Sequence, residues 1–159
     1  MRLRRVVPDL NLKIDDDDFT LFGLPRRYAL DPAELDAHWR ALQAQVHPDR
    51  HASGGVAAQR VAMQWAVRVN EAYRRLKDPL RRGAYLCELG GATIDAHSNT
   101  AMPAALLHQH MQWREDLEDA RGVAEVEQLD EQVARHQAEQ LARLAELIDR
   151  DADLPAAAA

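Results

Sequence analysis

The sequence predicts an all-α protein, and three observations carry that expectation. Two Asp-Pro pairs, Asp31-Pro32 and Asp78-Pro79, each stand at the head of an amphipathic run, with Asp placed to cap and Pro at the first helical position. Apolar residues between the breaks recur at steps of three and four, as one face of a helix requires, and no stretch alternates as a strand would. The composition is rich in Ala, Leu, Glu, Gln and Arg, with little β-branched or aromatic content outside a few anchors.

Taken in order, residues 1–17 read as a flexible tail, basic at its start (Arg2, Arg4, Arg5) and ending in the acidic run Asp15 to Asp18. Phe19, Leu21, Phe22 and Leu24, closed by Gly23 and Pro25, predict a short lead helix. A second helix runs from about Pro32 to Val46, with Leu35, Trp39, Leu42 and Val46 on one face and Glu34, Arg40, Gln43 and Gln45 largely left for solvent. After a Gly-containing loop the pattern resumes through Ala58, Ala62, Trp65, Val69, Ala72, Tyr73 and Leu76 until Lys77-Asp78-Pro79 breaks it, so the two helices can form an antiparallel hairpin. Leu80, Ala84, Tyr85 and Leu86 supply the buried side of a fourth helix ending at Gly90-Gly91. Residues 91–102 are small and polar, a linker. Pro103 opens a helix to about Ala120, and a long charged helix follows to about Arg150, carrying Val126, Val133, Leu141, Leu144 and Ile148. Only the Pro103 helix is then in sight to cover that stripe. Asp153, Leu154 and Pro155 announce one more helix start, followed by four alanines; a frayed end is the competing reading.

The 159 residues suffice for one ordinary core or two small helical units. A net charge of −6 disfavours a nucleic-acid scaffold held by phosphate contacts. A single cysteine, Cys87, cannot form an internal disulfide or a cysteine zinc site, and no apolar run reaches the length of a membrane span. Together these point to a protein of a reducing compartment that needs neither nucleic acid nor membrane.

The most informative stretch is His47-Pro48-Asp49. Proline pushes the preceding residue out of the helical region, so the second helix should stop near His47 and leave an imidazole and a carboxylate on a stiff exposed turn. Such a pair suits recognition of an Arg-bearing partner surface. A rival of another class is a metal-dependent enzyme, because His47, Asp49 and His51 form a two-His, one-carboxylate set; a Gly-rich helical loop is a poor scaffold for such a site, and the expectation is no metal and no cofactor. On the Pro103 helix, Leu106, His110, Trp113 and Leu117 form a stripe most simply read as core, while Leu107, Met111 and Arg114, with Glu115 alongside, form a second. Arg74, Arg75, Lys77, Arg81 and Arg82 read as a solvated basic face, and Cys87 as a small core residue.

From Asp18 to about Gly90 the chain resembles a J domain: Phe19-Thr20-Leu21-Phe22-Gly23-Leu24, the second helix, His47-Pro48-Asp49, Asn70-Glu71-Ala72-Tyr73, then Leu76-Lys77-Asp78-Pro79. With Leu80-Arg81-Arg82-Gly83-Ala84-Tyr85-Leu86 and Trp113-Arg114-Glu115-Asp116-Leu117 it is similar, more narrowly, to the HscB-type J-domain co-chaperones of iron–sulfur cluster assembly. The resemblance implies a J domain over 18–90 and a helical client-binding unit over 103–159, a hairpin or an incomplete three-helix bundle whose last helix is cut short. It implies no enzymatic activity. The expected partners are an HscA/DnaK-class chaperone, met by His47, Pro48, Asp49, Arg40 and Arg50, and an IscU-type scaffold, met by Leu107, Met111, Arg114 and Glu115. The implied location is the bacterial cytoplasm, with a mitochondrial matrix as the alternative. A general J-domain protein with other clients is the alternative within the same class.

Overall fold

A computed structural model of the chain describes residues 12–47, 49, 54–92 and 103–158. Its elements are the helices α1 (Asp18–Phe22), α2 (Pro32–Val46), α3 (Gly55–Lys77), α4 (Pro79–Leu89), α5 (Ala104–Asp119), α6 (Val123–Ala145), a π-helical turn at Glu146–Arg150, and α7 (Leu154–Ala158). No strand occurs among the described residues. The expected 91–102 linker lies outside them apart from residues 91 and 92.

The starts of α1, α2 and α4 are each set by an aspartate cap. The Asp31 carboxylate accepts the Ala33 N–H at 2.9 Å, and Asp78 accepts those of Leu80 and Arg81 at 2.9 and 3.0 Å. Asp17 caps α1, accepting from the backbone N–H groups of Phe19 and Thr20, both at 3.1 Å, from the Thr20 hydroxyl at 2.6 Å and from Arg26 at 2.7 Å. Helix α1 then ends at Gly23, whose φ of 64° is the left-handed conformation that glycine adopts without Cβ strain.

The aspartate run is therefore structural. Asp18 is fully buried, its carboxylate 2.7 Å from Arg68 and 3.1 Å from Arg75 on α3. Arg68 also donates to the carbonyls of Ile14 and Asp16, at 3.2 and 2.9 Å, and Leu12 and Ile14 pack against the core. Residues 12–17 are thus held against α3, unlike the flexible tail that the sequence suggests; residues 1–11 lie outside the described set.

The core is built where α2 and α3 face each other. Leu35, Leu42 and Val46 bury against Trp65, Val69, Ala72 and Leu76, and Phe19, Phe22, Leu24 and Tyr28 close one end. Helix α4 adds Leu86 and Cys87. Leu80, expected on its buried side, is 64% exposed.

The second unit differs from expectation in what covers it. Helices α5 and α6 have no buried residue. They meet through Trp113, whose ring lies edge-on to His136 at 5.2 Å. The far end of α6 is covered by the N-terminal unit: Leu144 and Ala145 pack against the core, and Ile148 is buried in it. The π-helical turn swings Asp149 so that its carboxylate accepts the backbone N–H groups of Tyr28 and Ala29 at 2.6 and 2.8 Å. Gly83 of α4 and Gly90, which caps its end, receive these elements. A Cβ on Gly83 would come 3.0 Å from Leu144, and one on Gly90 would collide with Leu154 of α7. The helix start at Leu154 is therefore real and docks on α4.

Two outcomes test this arrangement. Partial burial pushes the Asp17 carboxyl up, but hydrogen bonds from Arg26 and Thr20 outweigh it and hold it at about 2. A depressed carboxyl stabilises the fold above its unfolded value and loses that contribution as pH falls towards 2. Asp17→Ala should cost about 1–2 kcal/mol in neutral melts and flatten the stability-versus-pH curve below about pH 4; an unchanged acid limb would show that the cap does not depend on charge. In hydrogen exchange, residues 144–158 should be protected like α4, with α5 and Val123–Leu141 exchanging faster. Uniform protection across α5 and α6 in a dilute monomer would show that the helix pair is self-sufficient.

Candidate functional site

The site begins with how α2 is held on α3. Trp39 stacks on Tyr73 with ring centroids 4.6 Å apart and donates its indole N–H to Asn70 Oδ1 at 3.1 Å. Gln43 donates to the same oxygen at 2.6 Å. One turn nearer the start of α2, Asp36 accepts from the Tyr73 hydroxyl at 2.7 Å and pairs with Lys77 at 3.5 Å. The Tyr73 hydrogen bond, supported by Lys77, lowers the Asp36 carboxyl, and the matching bond to Tyr73 raises Lys77. His38 closes the other side of α2 through a short contact from Nδ1 to the Phe22 carbonyl.

This polar ladder runs up to the end of α2, where Val46 is fully buried and the next residue leaves the helix. His47 has φ −59° and ψ 127°, the extended conformation imposed on a residue before proline. The Asp49 N–H donates to His47 Nδ1 at 3.3 Å, and a carboxylate oxygen of Asp49 sits 3.6 Å from the same nitrogen. The side chains of His47 and Asp49 are 55% and 90% exposed. They contribute nothing to the core, and their free acceptor oxygens and imidazole edge are displayed to a partner. Arg40 is exposed on α2 below them. Pro48 and Arg50 lie outside the described residues, as does His51 of the metal rival. Among the described residues no group of three His, Cys, Asp or Glu could hold a metal ion.

Helix α5 carries the second candidate surface. Leu107 and Met111 are 49% and 53% exposed, Arg114 is exposed and pairs with Glu118 at 3.0 Å, and Glu115 is exposed. Residues 107, 111, 114 and 115 fall on one helical face, 111 lying one turn from 107 and 114 and 115 one turn from 111. The other stripe is only half covered: Leu106 and Trp113 are partly buried, whereas His110 and Leu117 are exposed.

The basic cluster is not one solvated face. Arg75 reaches the buried Asp18 and lies over the Tyr85 ring at 4.7 Å, Arg82 donates to the Leu76 carbonyl at 2.6 Å and lies over Tyr28, and Lys77 joins the Tyr73 ladder. Arg74, Lys77 and Arg81 are exposed, Arg81 pairing with Asp78 at 3.9 Å. Cys87 is buried, and burial pushes its thiol up, away from a nucleophile's range. Sequence reasoning quoted Asn70 only within the Asn70-Glu71-Ala72-Tyr73 stretch and missed that it joins α2 to α3.

Comparison with known proteins gives a consistent result. Residues 102–159 match the family described as the HSCB C-terminal oligomerisation domain. The chain is 51% identical over 151 residues to a co-chaperone protein HscB homolog of Burkholderia multivorans, covering 93% of this chain and 86% of that protein. It is 59% identical over 106 residues to the homolog of Bordetella pertussis, a match that spans 62% of that relative's length. Among solved structures, human co-chaperone protein HscB superimposes with a TM-score of 0.82 at 28% identity, covering 91% of this chain and 73% of that one. HscB from Vibrio cholerae superimposes with a TM-score of 0.78 at 35% identity, covering 90% and 85%.

Proposed function

The chain belongs to the HscB co-chaperone family, and from that premise we propose that it stimulates the ATPase of an HscA/DnaK-class chaperone and delivers to it an IscU-type iron–sulfur scaffold. The family is one of co-chaperones rather than enzymes. In this reading residues 18–90 act as a J domain, 91–102 as a linker, and 103–159 as the client-binding unit, in a bacterial cytoplasm; its Burkholderia and Bordetella relatives are bacterial proteins. No helix among the described residues is long and apolar enough to cross a membrane.

The observation that carries the reading is the exposed His47–Asp49 pair, which serves no core and yet sits at the end of a helix locked to its neighbour. Its carboxylate offers acceptors to a guanidinium on the ATP-bound chaperone and its imidazole edge adds a polar contact, with Arg40 and Arg50 adding charge. Binding that favours the hydrolysis-competent state of the chaperone accelerates turnover there without any chemistry in this chain. Client capture falls to Leu107, Met111, Arg114 and Glu115. An exposed apolar pair with a charged rim suits a protein partner, and Met adapts readily to its shape. Because Asp149 and Ile148 tie the second unit to the first, a bound scaffold is held at high local concentration beside the chaperone.

His47→Gln and Asp49→Asn should each reduce stimulation of the chaperone ATPase by about tenfold or more, the scale of a lost charged hot spot, while helical content and melting stay near those of the unaltered protein, as for other surface changes. Stimulation at full strength by either variant would defeat the reading. Separately, Leu107→Ala with Met111→Ala should weaken scaffold binding by about 1–3 kcal/mol in calorimetry and leave scaffold-free stimulation intact. Undiminished scaffold affinity would move the client surface elsewhere.

A further inference from the structure

The His47–Asp49 corner has little of its own to fix where it points. Its internal hydrogen bond, from the Asp49 N–H to His47 Nδ1, ties the corner to itself, and both side chains stand in solvent. Its direction is inherited from the last turns of α2. Val46, fully buried, sets how deeply that end of the helix sits, but an apolar contact is non-directional and fixes the direction of the corner less sharply than a hydrogen bond does. A hydrogen bond is directional. Gln43, one helical turn before His47, donates to Asn70 Oδ1 at 2.6 Å, and Trp39, one turn earlier, donates to the same oxygen at 3.1 Å. Asn70 sits part-buried in the middle of α3, where the Trp39–Tyr73 stack shields it on one side.

We infer that Asn70 is a positioning residue for the corner: its Oδ1, accepting from two successive turns of α2, fixes the rotation of that helix and so the directions in which His47 and Asp49 meet the chaperone. The inference rests on the chaperone-stimulating function proposed above. Its chemistry is specific, since both bonds from α2 use the acceptor oxygen and neither needs the amide N–H. Aspartate at this position keeps the acceptor at the same place. Leucine keeps the volume, removes the acceptor, and leaves the Trp39 and Gln43 donors without it.

The test compares Asn70→Asp, Asn70→Leu and Gln43→Met in the full chain, with His47→Gln alongside. Maximal ATPase stimulation and the half-saturating co-chaperone concentration are read separately, together with scaffold affinity and the Trp39 indole N–H resonance. Asn70→Leu should lower maximal stimulation by about tenfold, the order expected when a contacting group is misdirected, with scaffold affinity unchanged and the indole resonance shifted. Asn70→Asp should stay within about twofold of the unaltered protein, since the acceptor is retained. Gln43→Met removes the donor from the other side and should reproduce the loss even if Asn70→Leu folds poorly. Full stimulation by Gln43→Met, or an Asn70→Asp variant as impaired as Asn70→Leu, would overturn the inference. Full stimulation by His47→Gln would instead bring down the functional reading, and this inference with it.

Discussion

The structure depends most on the burial of the Asp18 carboxylate between Arg68 and Arg75. A carboxylate removed from water carries a desolvation penalty of several kcal/mol, tolerable only when cations and hydrogen bonds replace the solvent, and breaking such a pair leaves a buried charge uncompensated. Here the replacement comes from residues 50 and 57 positions away on α3. Asp18 can stay buried only if α1 lies on α3 in one orientation. The same arrangement recruits α4: Tyr85 accepts the Asp18 backbone N–H at 3.1 Å, stacks with Phe19 and lies beneath Arg75. Arg68 in turn pins residues 14 and 16. One carboxylate thereby coordinates α1, α3, α4 and the segment that precedes them.

Function is built outward from that frame. The α2–α3 hairpin is closed by apolar residues on its inner side and by the ladder of Asp36, Trp39, Gln43, Asn70, Tyr73 and Lys77 along its edge. Rigidity is thus carried to the end of α2, where the chain must leave the helix. On the opposite side, Gly83 and Gly90 make α4 narrow enough for Leu144 and Leu154 to lie close, and Asp149 satisfies two backbone donors in the loop between α1 and α2. The long helix is consequently anchored at one end only. Its outer half, with Val126 and Val133 exposed, stands away from the core beside α5.

What could be read in advance was what adjacent residues settle among themselves. The stops and starts at Asp31-Pro32, His47-Pro48 and Asp78-Pro79 follow from the proline ring and from a carboxylate meeting the backbone two or three residues on. The spacing of Leu35, Leu42 and Val46 on α2, and of Ala62, Trp65, Val69, Ala72 and Leu76 on α3, identified the two faces that pack together. The exposed corner was legible for the same reason, since proline dictates the break at His47. Asp15 to Asp18 were misleading because four acidic residues in a row carry no local mark of which one will find arginines on a distant helix. Leu80 was assigned to the buried face because periodicity gives the face of a helix and not what lies opposite each of its turns.

The amino-acid sequence alone determined the all-α class, the boundaries of the main helices and the residues displayed at the α2 terminus, because backbone sterics, capping and helical periodicity act over a few residues. Only the tertiary structure decided that Asp18 is a core residue, that Asn70 joins α2 to α3, and that the end of α6 rests on α4. These depend on groups separated by tens to more than a hundred positions, and a charge, an amide or a glycine takes its role from the partner that folding brings to it.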